Sequence, residues 1–279
     1  MTVGARPPPI PGGDMQGNNP VFARNEGFSR GGYATFDVAT PTADELRSQY
    51  DAPSAIRTGS AMTINDVVAK TALLFVLMLA TAGATYFLMP PGAQFLALIG
   101  GMVLTLVLGL VIAFTKTVRP PLIVIHALGE GLLVGAFSAF IGASFGSDLI
   151  GQAVLGTLAA FTGMLIAYTT RIIRVTNRFR KIMIFSMIGL MVLGLANIVS
   201  VFGFGYSFYF DSPFGILLGV AGVVIASLTL ALDFDFIEQG VKNRLPEQYS
   251  WLAAHGLLVT LVWLYIEILR LLAILRGQE

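Results

Sequence analysis

The stretch Leu232-Asp233-Phe234-Asp235-Phe236-Ile237-Glu238-Gln239-Gly240 places three carboxylates at the end of one hydrophobic run, just before another begins. A carboxylate in hydrocarbon costs kilocalories unless it is protonated, paired or wetted, so acids in this setting mark a candidate ion or proton site. Asp233 and Asp235 are two residues apart, about 200° on a helix, so a regular helix cannot turn both toward a bundle interior. Thr229 lies one turn before Asp233 on the same face, where its hydroxyl can partner a carboxyl, and this favours Asp233 as the inward acid. Asp235 and Glu238 then read as a solvated edge, with Asp235 the more exposed of the two aspartates.

Glu130 is the sharpest polar outlier elsewhere. Counted from Pro121, it lies about nine residues into its apolar run, roughly 13 Å deep and near a bilayer centre. His126 sits one turn earlier on the same face. A His-x-x-x-Glu pair of this kind either relays protons or holds a cation, or else is a neutral Glu hydrogen-bonded to its own His. His255 enters the last apolar run at a depth like that of His126, so the two can meet, although an interfacial position is the simpler expectation. Two histidines and no cysteine make a poor transition-metal site, and no metal centre or cofactor is expected. Glu267 and Arg270 are three apart and read as an ion pair on a helix surface. Asn197 has the chemistry to hydrogen-bond across helices.

The elements that must position these groups follow from composition. With 55% hydrophobic and 12% charged residues and a mean hydropathy of +0.77, the chain has too little polar surface to cover a soluble globule of 279 residues. It reads as an integral membrane protein whose first partner is the lipid bilayer. A net charge of +1 and the lack of a basic stripe with interleaved aromatics give no reason to expect nucleic acid. Metalloprotease, serine-hydrolase and P-loop motifs are missing, so no enzyme class gains support.

Residues 1–60 are rich in Pro, Gly and polar residues and read as a disordered cytoplasmic tail without a signal-peptide core. Residues 61–279 form the transmembrane domain. Seven apolar spans are expected at about 66–89, 93–115, 121–143, 149–169, 181–203, 213–234 and 251–275. Long runs without strict alternation are helices, giving an all-α seven-transmembrane-helix bundle. Lys116 and Arg119 fall in the second break, Arg171, Arg174, Arg178, Arg180 and Lys181 in the fourth, and Lys242 and Arg244 in the sixth. The even breaks and the N-terminus are therefore expected in the cytoplasm and the C-terminus outside. Small residues recur at four-residue spacing, as in Gly101/Thr105/Gly109, Gly131/Gly135/Ala139, Ala159/Gly163/Ala167 and Gly215/Gly219, and one compact bundle accounts for all of these stripes.

The segments Ala231-Leu232-Asp233, Pro246-Glu247-Gln248-Tyr249 and Trp263-Leu264-Tyr265-Ile266-Glu267-Ile268-Leu269-Arg270 resemble the Bax inhibitor-1 superfamily, specifically its bacterial branch. The resemblance covers the seven spans, roughly Met62 to Leu275, and leaves the tail outside. It implies a bundle with a central last helix, acting in the cell membrane as a pH-sensitive calcium leak under the control of two aspartates on the final two helices. Asp233 matches one of them. The other position falls on Thr260, which does not ionise in this range, and Glu130, at a similar depth, is the candidate replacement. The resemblance also implies a basic latch for the first aspartate, a part open to Lys116 or Arg119. Two further functions stay open at this point. One is a non-transporting regulator that binds another membrane protein, such as a membrane protease. The other is a proton-coupled transporter, which an inverted repeat would favour and for which no convincing repeat is found.

Overall fold

The computed structural model describes residues 60–210 and 212–277, together with Thr42, Asp44 and Arg47. The tail expected to be disordered lies almost wholly outside the described residues. Seven helices follow in order: α1 (Ile64–Leu88), α2 (Pro91–Phe114), α3 (Pro120–Phe145), α4 (Asp148–Thr169), α5 (Asn177–Phe204), α6 (Gly215–Lys242) and α7 (Tyr249–Arg276). All seven are long and apolar enough to cross a membrane.

The helix ends follow local chemistry. Thr63 caps α1, its hydroxyl accepting from the Asp66 N–H at 3.1 Å while the Asp66 carboxylate accepts from the Thr63 N–H at 3.2 Å. Pro91 and Pro120 open α2 and α3, where a missing N–H costs nothing. Thr176 caps α5 through the Phe179 N–H, and Gly205 ends it in the left-handed region at φ 66°.

The largest departure from the sequence expectation is α6, which runs to Lys242 rather than stopping near residue 234. Asp233, Asp235 and Glu238 therefore lie inside a continuous helix. Hydropathy falls at these charges, but the helix continues, with partners on other elements taking up Asp235 and Glu238.

α7 packs against α6, α1, α4 and α3, so the last helix is central. Two apolar clusters flank it. One joins Leu74, Met78, Ile123, Ala127, Leu258 and Val262; the other joins Tyr168, Leu230, Phe234, Leu257 and Leu264. Lipid tails are as apolar as these side chains, so close backbone approach and polar cross-links hold the bundle more than burial does. Gly131 and Gly135 bring α3 onto α1: a Cβ on Gly131 would lie 2.5 Å from the Met78 carbonyl oxygen, and one on Gly135 would run into that of Ala82. The Ser138 hydroxyl shares a 2.8 Å hydrogen bond with the Tyr265 hydroxyl across α3 and α7. The stripe through Gly163 is different, with nothing within 4 Å of a Cβ there, so close packing does not explain every small-residue stripe. α5 approaches only α6 among the helices.

Candidate functional site

The acids of α6 divide by direction. The Asp233 carboxyl points at α7, where a Cβ on Gly256 would sit 3.5 Å from its Oδ1 and the Thr260 hydroxyl lies beside it. Its Oδ2 is shielded from solvent without a hydrogen-bond partner. Thr260 Oγ1 is also 3.0 Å from the Gly256 carbonyl, to which its hydroxyl can donate. Thr229 is not the partner expected from the sequence; its hydroxyl donates to the Ile225 carbonyl at 2.9 Å.

Asp235 corrects a second expectation. It is 9% exposed, held by Arg180 Nη2 at 2.8 Å, and not on a solvated edge. The 200° offset is real, but α6 has neighbours on both sides, and the order of exposure is the reverse of that expected: Asp235 is buried, whereas Asp233 is partly exposed. Glu238 accepts from the Tyr168 hydroxyl, from Arg171 Nη2 at 2.8 Å and from Lys242 Nζ at 2.6 Å. Arg171 adopts the left-handed region, φ 62°, which disfavours side chains other than glycine, and its bond to Glu238 offsets that strain.

Lys116 and Arg119, the expected latch residues, are both exposed in the α2–α3 connection. They line a cavity of about 230 Å³ with Tyr249 and Leu252. Among the described residues neither forms an ion pair, and Asp233 forms none. The basic clamp falls instead on Arg180, and it holds Asp235. Sequence reasoning noted Arg180 only as a topogenic charge; the one local clue to this network was the i,i+4 spacing of Glu238 and Lys242.

A second buried cluster lies on another face of α7. His126 Nε2 is 3.2 Å from the Thr105 carbonyl, so that nitrogen carries the proton, and Nδ1 faces Glu130 Oε1 at 3.7 Å. His126 and His255 meet edge to face, with ring centroids 4.5 Å apart. His255, expected at the interface, is buried at 7% exposure. Glu130 is 3% exposed and its Oε2 has no partner. Thr260 is five residues beyond His255, about 140° around the helix, so it faces α6 while the histidines face α3. Glu130 therefore does not stand in for an acid at Thr260. Equal depth said nothing about azimuth.

Glu267 and Arg270 also differ from expectation. Glu267 is 5% exposed, bonded to Arg270 and to Trp263 Nε1 at 3.0 Å, with Gly222 of α6 packed against its carboxyl. This is an intramembrane pair rather than a helix-surface one. Asn197 does not cross between helices either; it accepts from the Phe208 N–H at 2.8 Å and so orders the turn after α5.

Seven apolar helices with carboxyl groups packed at helix interfaces define a multi-pass integral membrane protein. The family model described as Bax inhibitor 1 like matches residues 19–277, and the chain belongs to that family. The match starts well ahead of Met62, so it reaches further into the N-terminal segment than the resemblance read from the sequence. No curated protein matches the chain.

Proposed function

We propose that this protein is a pH-gated cation leak in the cell membrane, with calcium the favoured ion, and that it performs no enzymatic chemistry. The observation that supports this reading is the Asp233 carboxyl, which faces α7 with its Oδ2 shielded, beside Thr260 and without a counter-ion among the described residues. In its neutral form the acid fits that interface. Ionised, it must be wetted or meet a cation, which favours parting α6 from α7. Hard cations are bound by oxygen ligands, and the carboxyl and carbonyl groups here supply those and no thiol.

Because Thr260 stands where the family resemblance implies a second aspartate, the switch uses one carboxyl, and gating follows one proton rather than a shared pair. Arg180 and Asp235 tie α5 to α6 near the end where α6 leaves the bilayer, which this reading assigns to the cytoplasm together with the N-terminal segment. The test is calcium entry into vesicles containing the purified protein, followed across pH with a trapped dye. The expected result is flux that rises with pH, with a steepness of about one proton. Flux no greater than in protein-free vesicles at every pH would instead favour the non-transporting regulator of another membrane protein.

A further inference from the structure

Ser60, Ala61 and Met62 lie along the α6–α7 connection just before Thr63 caps α1. Two backbone hydrogen bonds hold them there, from the Met62 N–H to the Leu245 carbonyl and from the Glu247 N–H to the Ser60 carbonyl, both 2.8 Å, with Ala61 opposite Pro246 between them. The Ser60 hydroxyl also bonds the Glu247 carboxylate, which Lys70 of α1 holds at 3.1 Å. This short strap carries one buried side chain. Met62 is 2% exposed and clusters with Val67 of α1 and Ala253 of α7, against Ile237 and Val241 of α6. Its sulfur lies so near the α6 backbone that a Cβ on Gly240 would sit 2.8 Å from it.

Position on α6 gives this contact its meaning. Gly240 is seven residues after Asp233, close to two full turns, so the two share one face of the helix about 10 Å apart along its axis. It is the face that Asp233 turns toward Gly256 of α7. Met62 thus fills the end of the α6–α7 seam nearest the connection, and any parting of the seam around Asp233 must lift α6 off Met62 or carry Met62 with it. Building on the cation-leak reading, we propose that the strap is a latch: Met62, held by its two backbone bonds, keeps the α6–α7 seam shut at the Asp233 end. A latch of two backbone bonds and one buried side chain can open without unfolding a helix.

The chain has no cysteine, so an introduced pair has no competitor. Ala61 and Pro246 form the non-hydrogen-bonded kind of antiparallel pair, whose Cα atoms typically lie about 4.5 Å apart, within the span of a disulfide. Ala61→Cys combined with Pro246→Cys locks the strap when oxidised and frees it when reduced, while Met62→Ala removes the buried side chain and keeps the backbone bonds. Hydrogen exchange at residues 237–242, the end of α6, reads the latch without any ion flux. The expected result is exchange about tenfold slower in the oxidised pair than in the reduced one, and about tenfold faster in Met62→Ala than in the native protein. Calcium flux into vesicles should be lost on oxidation, return on reduction and rise in Met62→Ala. Exchange that either comparison leaves unchanged overturns the latch, and so does a flux that is present but equal in the oxidised and reduced forms. Exchange as expected with no flux in any form supports the latch and contradicts the leak reading alone, so the two failures are distinguishable.

Discussion

Asp233 and Asp235, two residues apart on α6, call for different experiments. The Asp235–Arg180 pair has a half-exposed guanidinium, so solvent screens it and its contribution is about 1 kcal/mol or less. Arg180→Ala and Asp235→Asn should each lower thermal stability by that order, and the double variant by no more than either alone. Strict additivity in this cycle would show that the pair is not coupled. Glu247 is the residue whose pH response is set outside the spans. The Ser60 hydroxyl and then the Lys70 ammonium, 3.1 Å away, hold its carboxyl below the ordinary carboxylate range. A folded value below the unfolded one means that the stabilisation is fully present above about pH 4.3 and is lost as pH falls through the folded value. The same contact carries backbone bonds from Met62 N–H to the Leu245 carbonyl and from Glu247 N–H to the Ser60 carbonyl, both 2.8 Å. Hydrogen exchange at those two amides should show extra opening on acidification below about pH 4, beyond the intrinsic change in exchange rate, and Glu247→Gln should abolish that step. Identical pH profiles for the two proteins would remove Glu247 from the contact.

At the scale of elements, the close approach of α3 to α1 makes the sharpest prediction. Gly135→Val forces a side chain against the Ala82 carbonyl and the Thr85 side chain, and overpacking of this kind costs about 1–3 kcal/mol or more. Gly163→Ala enters open space and should leave thermal stability unchanged or slightly raised. Equal losses in the two variants would contradict the packing described. The seven helices were legible because bilayer thickness sets a length and proline or charge marks the breaks, so both ends of α4 fall within one residue of expectation. The C-terminal end of α6 was not legible. Hydropathy stops at a charge, whereas a helix continues wherever partners distant in sequence, here Arg180, Arg171 and Tyr168, take that charge up. The site was half legible for the same reason: spacing could say that Asp233 and Asp235 diverge and that His126 and Glu130 stack. Which neighbour each face would meet depends on helix packing, and so Thr260 was aligned by depth with the wrong cluster.

For the whole molecule, an odd number of crossings places the two ends of the bundle on opposite sides. The charge distribution predicts that a reporter after Glu279 reads as external while one in the connection from Arg171 to Thr176 reads as cytoplasmic. Two cytoplasmic readings would mean that one helix does not cross. Within that frame α7 lies between two apolar clusters and touches the Asp233 site on one side and the histidine pair on another, so in the proposed gating a movement of α6 against it turns a local proton into a change in the bundle. The most direct test of this account compares calcium flux across pH in vesicles carrying the native protein and the Asp233→Asn variant, with Asp235→Asn as the control. The account predicts that flux through the native protein and the control rises with pH, while Asp233→Asn, permanently neutral, stays at the low-pH level throughout. An Asp233→Asn protein whose flux keeps the full native pH dependence would contradict it.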